Sequence, residues 1–336
     1  MSDLSSYLVI GSGSIARRHI ANLKKLYPDS VIACISASGR YLQPDEVGAD
    51  VTYQEIKDTT QISFQYAIVA SPSPFHLEHA TELLNRGIPV LIEKPLSNCL
   101  SNFHAYREHL IKNQKIIGVA YNLRYLTSAV YLKKLLNQNI LGTIYSVLID
   151  VGQYLPDWRP ASDYRNNVSA QKKLGGGVLL ELSHEIDYLT WLFGPFDNAF
   201  CNIRLTGALE IDVEDRVAAI LSINNGLIAQ LNMDFLQRAP TRVCKIVGES
   251  GTLVWNILKN TIELKTSKEQ QETIFSDPEY DYNTMYLDQL SNFSKVGAGG
   301  KPEVALEQGL YVLQVIEALR RSAESNQNIP IGDFIK

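Results

Sequence analysis

Tyr7-Leu8-Val9-Ile10-Gly11-Ser12-Gly13-Ser14-Ile15-Ala16 is followed by Arg17-Arg18-His19-Ile20-Ala21-Asn22-Leu23. A short apolar strand runs into a G-x-G-x-x-A turn and the turn into a helical pattern, which is the context that a dinucleotide-binding unit requires. Gly11 permits the tight turn, Gly13 lets the backbone approach a pyrophosphate, and the small Ala16 lets the helix lie close to the strand. The N–H groups at the helix start, around Ser14 and Ile15, face the phosphates. Outside that context the same residues would be an ordinary turn rich in Gly and Ser.

The end of the second strand, Val31-Ile32-Ala33-Cys34-Ile35, bears on which dinucleotide is held, because an NAD enzyme usually presents an Asp or Glu there to the ribose hydroxyls. The next residues are Ser36-Ala37-Ser38-Gly39-Arg40. They include no carboxylate; Ser36 and Ser38 offer hydroxyls, and Arg40 offers a planar cationic fork suited to a phosphate. This favours NADP as cofactor. If the loop is merely solvated, the cofactor is NAD or either one.

Farther along, strand and helix alternate as a doubly wound parallel sheet requires. The strand Tyr66-Ala67-Ile68-Val69-Ala70 runs into Ser71-Pro72-Ser73-Pro74-Phe75-His76, where the prolines stop the strand and start a helix over 75–86 that Gly87 ends. The strand Ile88-Pro89-Val90-Leu91-Ile92 carries Glu93-Lys94-Pro95 at its end, and a helix over 98–112 leads to a strand over 116–120. Ligands bind beyond the carboxyl ends of such strands, so Ser71, Pro72, Glu93, Lys94, Tyr121 and Asn122 are expected to line one crevice. Lys94 then stands as a proton-transfer group beside the cofactor; the plainer reading is a surface lysine before a turn-forming proline. His19 and His76, early in helices, read as residues that shape the cofactor site or pack, not as catalysts.

The chain has 336 residues and 45% hydrophobic content, enough for about two domains with large cores. A net charge of −5 and a pI near 5.7 argue against nucleic acid as the main partner. The first residues show no signal peptide, and no apolar run is long enough to span a bilayer. Cys34, Cys99, Cys201 and Cys244 are scattered, without a C-x-x-C pair or His at metal-ligand spacing. They read as reduced residues of a cytoplasmic protein with no bound metal.

The pattern changes near residue 121, which divides the chain into a dinucleotide-binding domain over 1–121 and a second domain over 122–336. A helix with Val130, Leu132, Leu135 and Leu136 leads to a long strand over 144–151. Strand-like segments follow at 198–206, 212–223, 226–233, 241–247 and 252–257, and Asn224-Asn225-Gly226 is a strong hairpin signal. The expectation is an α/β Rossmann domain joined to an α+β domain with a largely antiparallel open sheet. One face of that sheet packs on helices, and a second copy of the chain is the simplest cover for the other, which gives a homodimer or homotetramer. The C-terminal helix can pack back on the first domain.

Inside the second domain, Leu174-Gly175-Gly176-Gly177 precedes an expected amphipathic helix that ends at Gly194. Glu181, His184 and Asp187 are spaced by three and so face roughly one side. A His oriented by a carboxylate is the usual general acid or base near neutral pH, although a helical His often caps or packs instead. Trp158, Tyr164, Arg165 and Arg124 suggest a polyhydroxylated ligand that bears phosphate, such as a nucleotide sugar. Equally, Trp158 and Tyr154 can simply pack a loop.

Together the Gly11 to Ala16 turn, Ala70-Ser71-Pro72 with His76, Glu93-Lys94-Pro95, Asn122-Leu123-Arg124-Tyr125 and the Gly175 to His184 stretch resemble the Gfo/Idh/MocA oxidoreductases over nearly the whole chain. The resemblance implies a sugar, cyclitol or nucleotide-linked sugar as substrate. It implies that Lys94 bonds the reacting hydroxyl and the nicotinamide ribose, that Pro95 is often cis, and that His184 accepts the alcohol proton. Many members carry an Asp four residues before that His; here Leu180 stands there, so Glu181, Asp187 or no carboxylate serves His184. The 177–193 run looks like members tied to bacterial surface-sugar synthesis. Three functions stay open: a dehydrogenase of ring hydroxyls, an NADPH-dependent carbonyl reductase, and a dinucleotide-binding regulator without turnover.

Overall fold

The computed structural model describes residues 5–223, 226–267 and 270–332. Asn224 and Asn225, the heart of the hairpin signal, lie outside the described residues. The chain forms two compact units, Met1–Asn122 with Asn283–Leu313, and Leu123–Tyr282 with Gln314–Lys336.

The first unit is built on a six-stranded sheet of β1 (Ser6–Ile10), β2 (Val31–Ile35), β3 (Val51–Tyr53), β4 (Tyr66–Val69), β5 (Val90–Ile92) and β6 (Ile117–Val119). All pairings are parallel and the order is β3-β2-β1-β4-β5-β6. Central strands read as continuous apolar runs because both faces are covered, and Leu8, Val9, Ile10, Ala67, Ile68 and Val69 are fully buried. The strand order reverses between β1 and β4, which opens a crevice at their carboxyl ends. Residues 283–313 belong to this unit. Phe293 packs edge-on against Tyr66 at 5.3 Å, the side-chain amides of Asn22 and Asn283 exchange hydrogen bonds of 3.1 and 2.7 Å, and Val119 N–H donates to Val304 O at 2.9 Å.

A nine-stranded sheet forms the second unit: β7 (Ile144–Gly152), β8 (Asn198–Arg204), β9 (Arg216–Ser222), β10 (Ile228–Asp234), β11 (Thr241–Gly248), β12 (Gly251–Asn256), β13 (Thr261–Lys265), β14 (Gln271–Ser276) and β15 (Ile329–Pro330). Its order is β14-β13-β12-β11-β7-β10-β9-β8-β15, and among the described residues only β7 with β10 pairs in parallel. The β9 strand starts at Arg216 and not at 212, because the Asp215 carboxylate is taken by the Thr206 N–H and hydroxyl at 3.0 and 2.6 Å. Alternation assigns the faces: Val147, Ile149, Ala229, Leu231, Cys244, Ile246 and Trp255 point inward and are buried. The inner layer includes helix Thr127–Asn137, whose Ser128 Oγ accepts from Trp255 Nε1 at 2.8 Å. Leu132 and Leu135 of that helix are buried as the sequence pattern expects, but Val130 is 52% exposed and the neighbouring Ala129 takes the inward position. On the outer face Leu148, Phe200, Ile220 and Ile228 remain 37–44% exposed. No helix among the described residues is long and apolar enough to cross a membrane.

Candidate active site

Gly11 leaves β1 with φ +129°, and its N–H donates to Ile35 O at 2.8 Å. A Cβ on Gly11 would lie 2.4 Å from the backbone oxygen of Ala70, so the turn threads between the ends of β2 and β4 only without a side chain. Gly11→Ala should therefore cost about 3 kcal/mol or more, from strain and backbone collision together. A thermal unfolding midpoint equal to that of the wild type would contradict this.

Gly13 is different: nothing lies within 4 Å of where its Cβ would be. It precedes helix Ser14–Leu26, which has no side-chain cap and no acidic residue in its first turn. An exposed helix start with spare N–H groups and open space beside it is a fit for a pyrophosphate. Ala16 is fully buried, while Ser14 is exposed and Ile15 partly so.

Beyond β2, Ser36 is buried and its hydroxyl lies 3.1 Å from that of Ser38. The Arg40 fork is engaged: Nη1 and Nη2 both donate to Glu46 Oε2 at 3.2 Å. Glu46 stands six residues beyond Arg40, in the turn Pro44–Val47, outside the strand-end segment whose residue types bear on the ribose.

The ends of β4 and β5 are tied by His76. Its ring nitrogens sit 2.7 Å from Ser71 O and 2.9 Å from Pro95 O, and the residue is 1% exposed. Both nitrogens thus face backbone within the fold, and burial pulls the imidazole below its ordinary range. Pro72 follows Ser71 in extended conformation, and His79 Nδ1 lies 3.0 Å from Ser71 Oγ. The Lys94-Pro95 bond is cis. Glu93 Oε2 accepts from Lys94 N–H at 3.1 Å and Oε1 lies 2.7 Å from His19 Nε2. Burial alone would push the Glu93 carboxyl up, but the bond from His19 and the nearby Lys94 hold it below its ordinary value. Lys94 itself is half-buried, Tyr121 and Asn122 are buried.

In the second unit the expected single helix after Gly177 is two: Val178–Glu181 and Ser183–Phe193. Leu182 leaves helical geometry at φ −98°, ψ 25°, and Glu185 N–H bonds the i−3 carbonyl of Leu182. The i, i+3 alignment of Glu181 with His184 is therefore broken, whereas His184 and Asp187 share one helix. Glu181 and His184 are half-buried. Glu214, which the sequence reading passed over, caps the first of these helices, its Oε1 accepting from Leu179 N–H at 3.1 Å. Both oxygens of Asp187 accept from Arg124, at 2.7 and 3.0 Å, and both side chains are 1% exposed. Glu185 pairs with Arg242 at 2.7 Å. Neither arginine partner could be read from local spacing, since the pairs join residues more than fifty positions apart.

The remaining candidates lie on the loop after β7. Trp158 Nε1 donates to Gln153 O at 3.2 Å and its ring meets Phe235 edge-on at 5.2 Å. Tyr164 Oη accepts from Glu210 N–H, and Arg165 is ion-paired to Asp163 and Glu210 at 2.8 and 2.9 Å.

A parallel sheet of this order, with an uncapped glycine turn at its switch point and a lysine at the carboxyl end of β5, defines a dinucleotide-binding oxidoreductase. The chain belongs to the Gfo/Idh/MocA oxidoreductase family: residues 5–121 match its NAD-binding Rossmann fold and residues 133–331 its C-terminal alpha/beta domain. It is 27% identical, over 73% of its length and 70% of the relative, to an uncharacterized oxidoreductase of Synechocystis sp.. It is 22% identical, over 98% of its length and 96% of the relative, to an inositol 2-dehydrogenase of Gluconacetobacter diazotrophicus. The fold matches the WlbA dehydrogenase of Bordetella pertussis, solved with NADH and UDP-GlcNAcA, with a TM-score of 0.82, 21% identity, and 98% of this chain and 99% of that one covered.

Proposed function

We propose that the protein transfers a hydride between a nicotinamide dinucleotide and a ring hydroxyl, or the matching ketone, of a sugar, cyclitol or nucleotide-linked sugar. The observation that carries this is the open, uncapped Gly13–Ser14 helix start in the same unit as Lys94 at the carboxyl end of β5. Gly11, Gly13, Ser14, Ile15 and Ala16 hold the pyrophosphate, and the Ser71-Pro72 and Glu93-Lys94 strand ends, with Asn122, flank the nicotinamide half. When bound, the nicotinamide takes up or returns the hydride. Lys94 Nζ holds the substrate oxygen as negative charge builds on it, and the His184 imidazole takes the hydroxyl proton. His76 supports this from within the fold, through the backbone of Ser71 and Pro95. The relatives' sugar and cyclitol substrates support the substrate class, and Trp158, Tyr164 and Arg165 supply aromatic and cationic groups for a larger ligand.

NADP is the preferred cofactor in this reading, with Ser36, Ser38 and Arg40 at the 2′-phosphate. Arg40→Ala should then weaken NADPH binding about tenfold or more, the size expected for a charge-assisted contact, and leave NADH unchanged. Calorimetry that finds equal loss for both, or none, removes the NADP preference. The function is tested by a turnover screen with myo-inositol, glucose 6-phosphate, levoglucosan and UDP-linked N-acetylglucosaminuronate. Reduction of dinucleotide with any of them supports a dehydrogenase; tight dinucleotide binding without turnover in either direction favours the regulator.

A homo-oligomer assembled through the outer face of the β7–β15 sheet fits the exposed Leu148, Phe200, Ile220 and Ile228, a patch that water-facing sheets seldom keep. Replacing Leu148 and Ile220 by Glu should convert the assembly to monomer in light scattering; an unchanged mass would place the interface elsewhere. A cytoplasmic setting suits the thiols: burial pushes those of Cys34 and Cys201 up to about 12.

A further inference from the structure

Helix Ser183–Phe193 carries two fully buried carboxylates, and each is gripped by an arginine from a different element. Arg124, in the turn Asn122–Tyr125, makes the two-pronged contact with Asp187; Arg242, on β11, donates Nε to Glu185 Oε1. At 3.6 residues per turn, Glu185 lies about 100° to one side of His184 and Asp187 about 60° to the other. The sector between them holds the half-buried His184 and, seven residues on, Trp191, beside the buried Tyr188 and Leu192. Arg124 reaches that sector as well, its guanidinium 5.7 Å from the Trp191 ring centre, and Lys133 Nζ donates to Trp191 O.

A single clamp would leave the helix able to roll about it. Clamps on both flanks fix the roll, because rotation in either direction pulls one buried carboxylate off its guanidinium, and an unpaired buried charge is costly. Buried ion pairs add little to stability compared with apolar packing, so their best use is to select one arrangement among several. We propose that Arg124 and Arg242 are positioning residues that set the rotation of the His184 helix and so present the imidazole in one direction. The proposal rests on the reading of His184 as proton acceptor and gives Arg124 and Asp187 a role inside the fold in place of direct contact with substrate.

Arg124→Lys and Arg242→Lys test it, since each keeps the charge and loses the guanidinium geometry. Three readouts need no substrate: the carbethoxylation rate of His184 by diethyl pyrocarbonate, mapped by peptide mass spectrometry; amide exchange of residues 183–193; and the dissociation constant for NADH and NADPH. Expected in each variant are a change of about threefold or more in the His184 rate, faster exchange in that helix and unchanged dinucleotide binding. On whichever sugar of the screen is turned over, kcat should fall about tenfold or more while KM moves less than about twofold. The pair Arg124→Met with Asp187→Leu removes both charges at similar volume and keeps the test alive if a lysine variant does not fold. Wild-type His184 reactivity and helix exchange in all the folded variants would overturn the proposal. Full turnover by His184→Ala would instead overturn the role of His184, and the modification and exchange data would still decide for or against the clamps.

Discussion

Lys94→Ala should lower kcat by about a hundredfold to a thousandfold, the cost of losing one donor aimed at a developing oxyanion. The argument starts from the backbone. Lys94 N–H is fixed on Glu93 Oε2, and Glu93 is itself locked to His19, so truncating the Lys94 side chain leaves the path of the strand end in place. The glycine turn lies at β1, so dinucleotide affinity should stay within about threefold of wild type, as expected for a mutation that removes an interaction made mainly in the transition state. Steady-state kinetics and calorimetry on the same preparation check both halves. Wild-type kcat would remove Lys94 from the chemistry.

His184→Ala has an equal or larger expected effect, about a hundredfold to ten-thousandfold in kcat, because a proton must leave the hydroxyl as the hydride departs and water is a poor substitute for a placed base. Its neighbours make the experiment clean. Glu185 and Asp187 keep their arginine partners when the imidazole is gone, so the helix retains its buried pairs and the protein should melt within a few degrees of wild type. Dinucleotide binding should again be unaffected. If turnover survives while Lys94→Ala loses it, the proton leaves by a route that does not use His184.

The fold was legible wherever the signal is local. Gly11 and Gly13 after an apolar strand, Gly87 at a helix end and the long alternating strands of the second half announce their elements through backbone freedom and side-chain period. The β3 strand gave no such sign, since Val51-Thr52-Tyr53 is three residues long, too short to show a period. The hairpin of β13 and β14 was missed as well: Gln271-Glu272-Thr273 is polar and partly edge-exposed, and its pairing with β13 depends on neighbours rather than on its own composition. The break at Leu182 was hidden for the opposite reason, because an apolar run of helix formers gives no warning of one i−3 hydrogen bond. Of the site, residue types were readable and partnerships were not. Spacing offered Glu181 or Asp187 as the companion of His184, and only the long-range contact with Arg124 shows where both oxygens of Asp187 go. The same holds for Arg40, whose fork looked available until Glu46 was seen beside it.

The return of residues 283–313 to the first unit has a bearing on how the protein is made. Tyr66 on β4 is covered by Phe293, and the backbone of β6 is completed by Val304, so this unit lacks part of its own wall until residues 283–313 have been synthesised. Domains that fold as the ribosome delivers them usually close in order, the first one first. Here residues 1–122 must wait with an aromatic flank bare while the intervening unit, complete in itself but for its final segment, emerges and folds. A newly made chain is thus exposed longest at the Tyr66 and Val119 flank of its first sheet, and that flank is where a chaperone would have the most time to act.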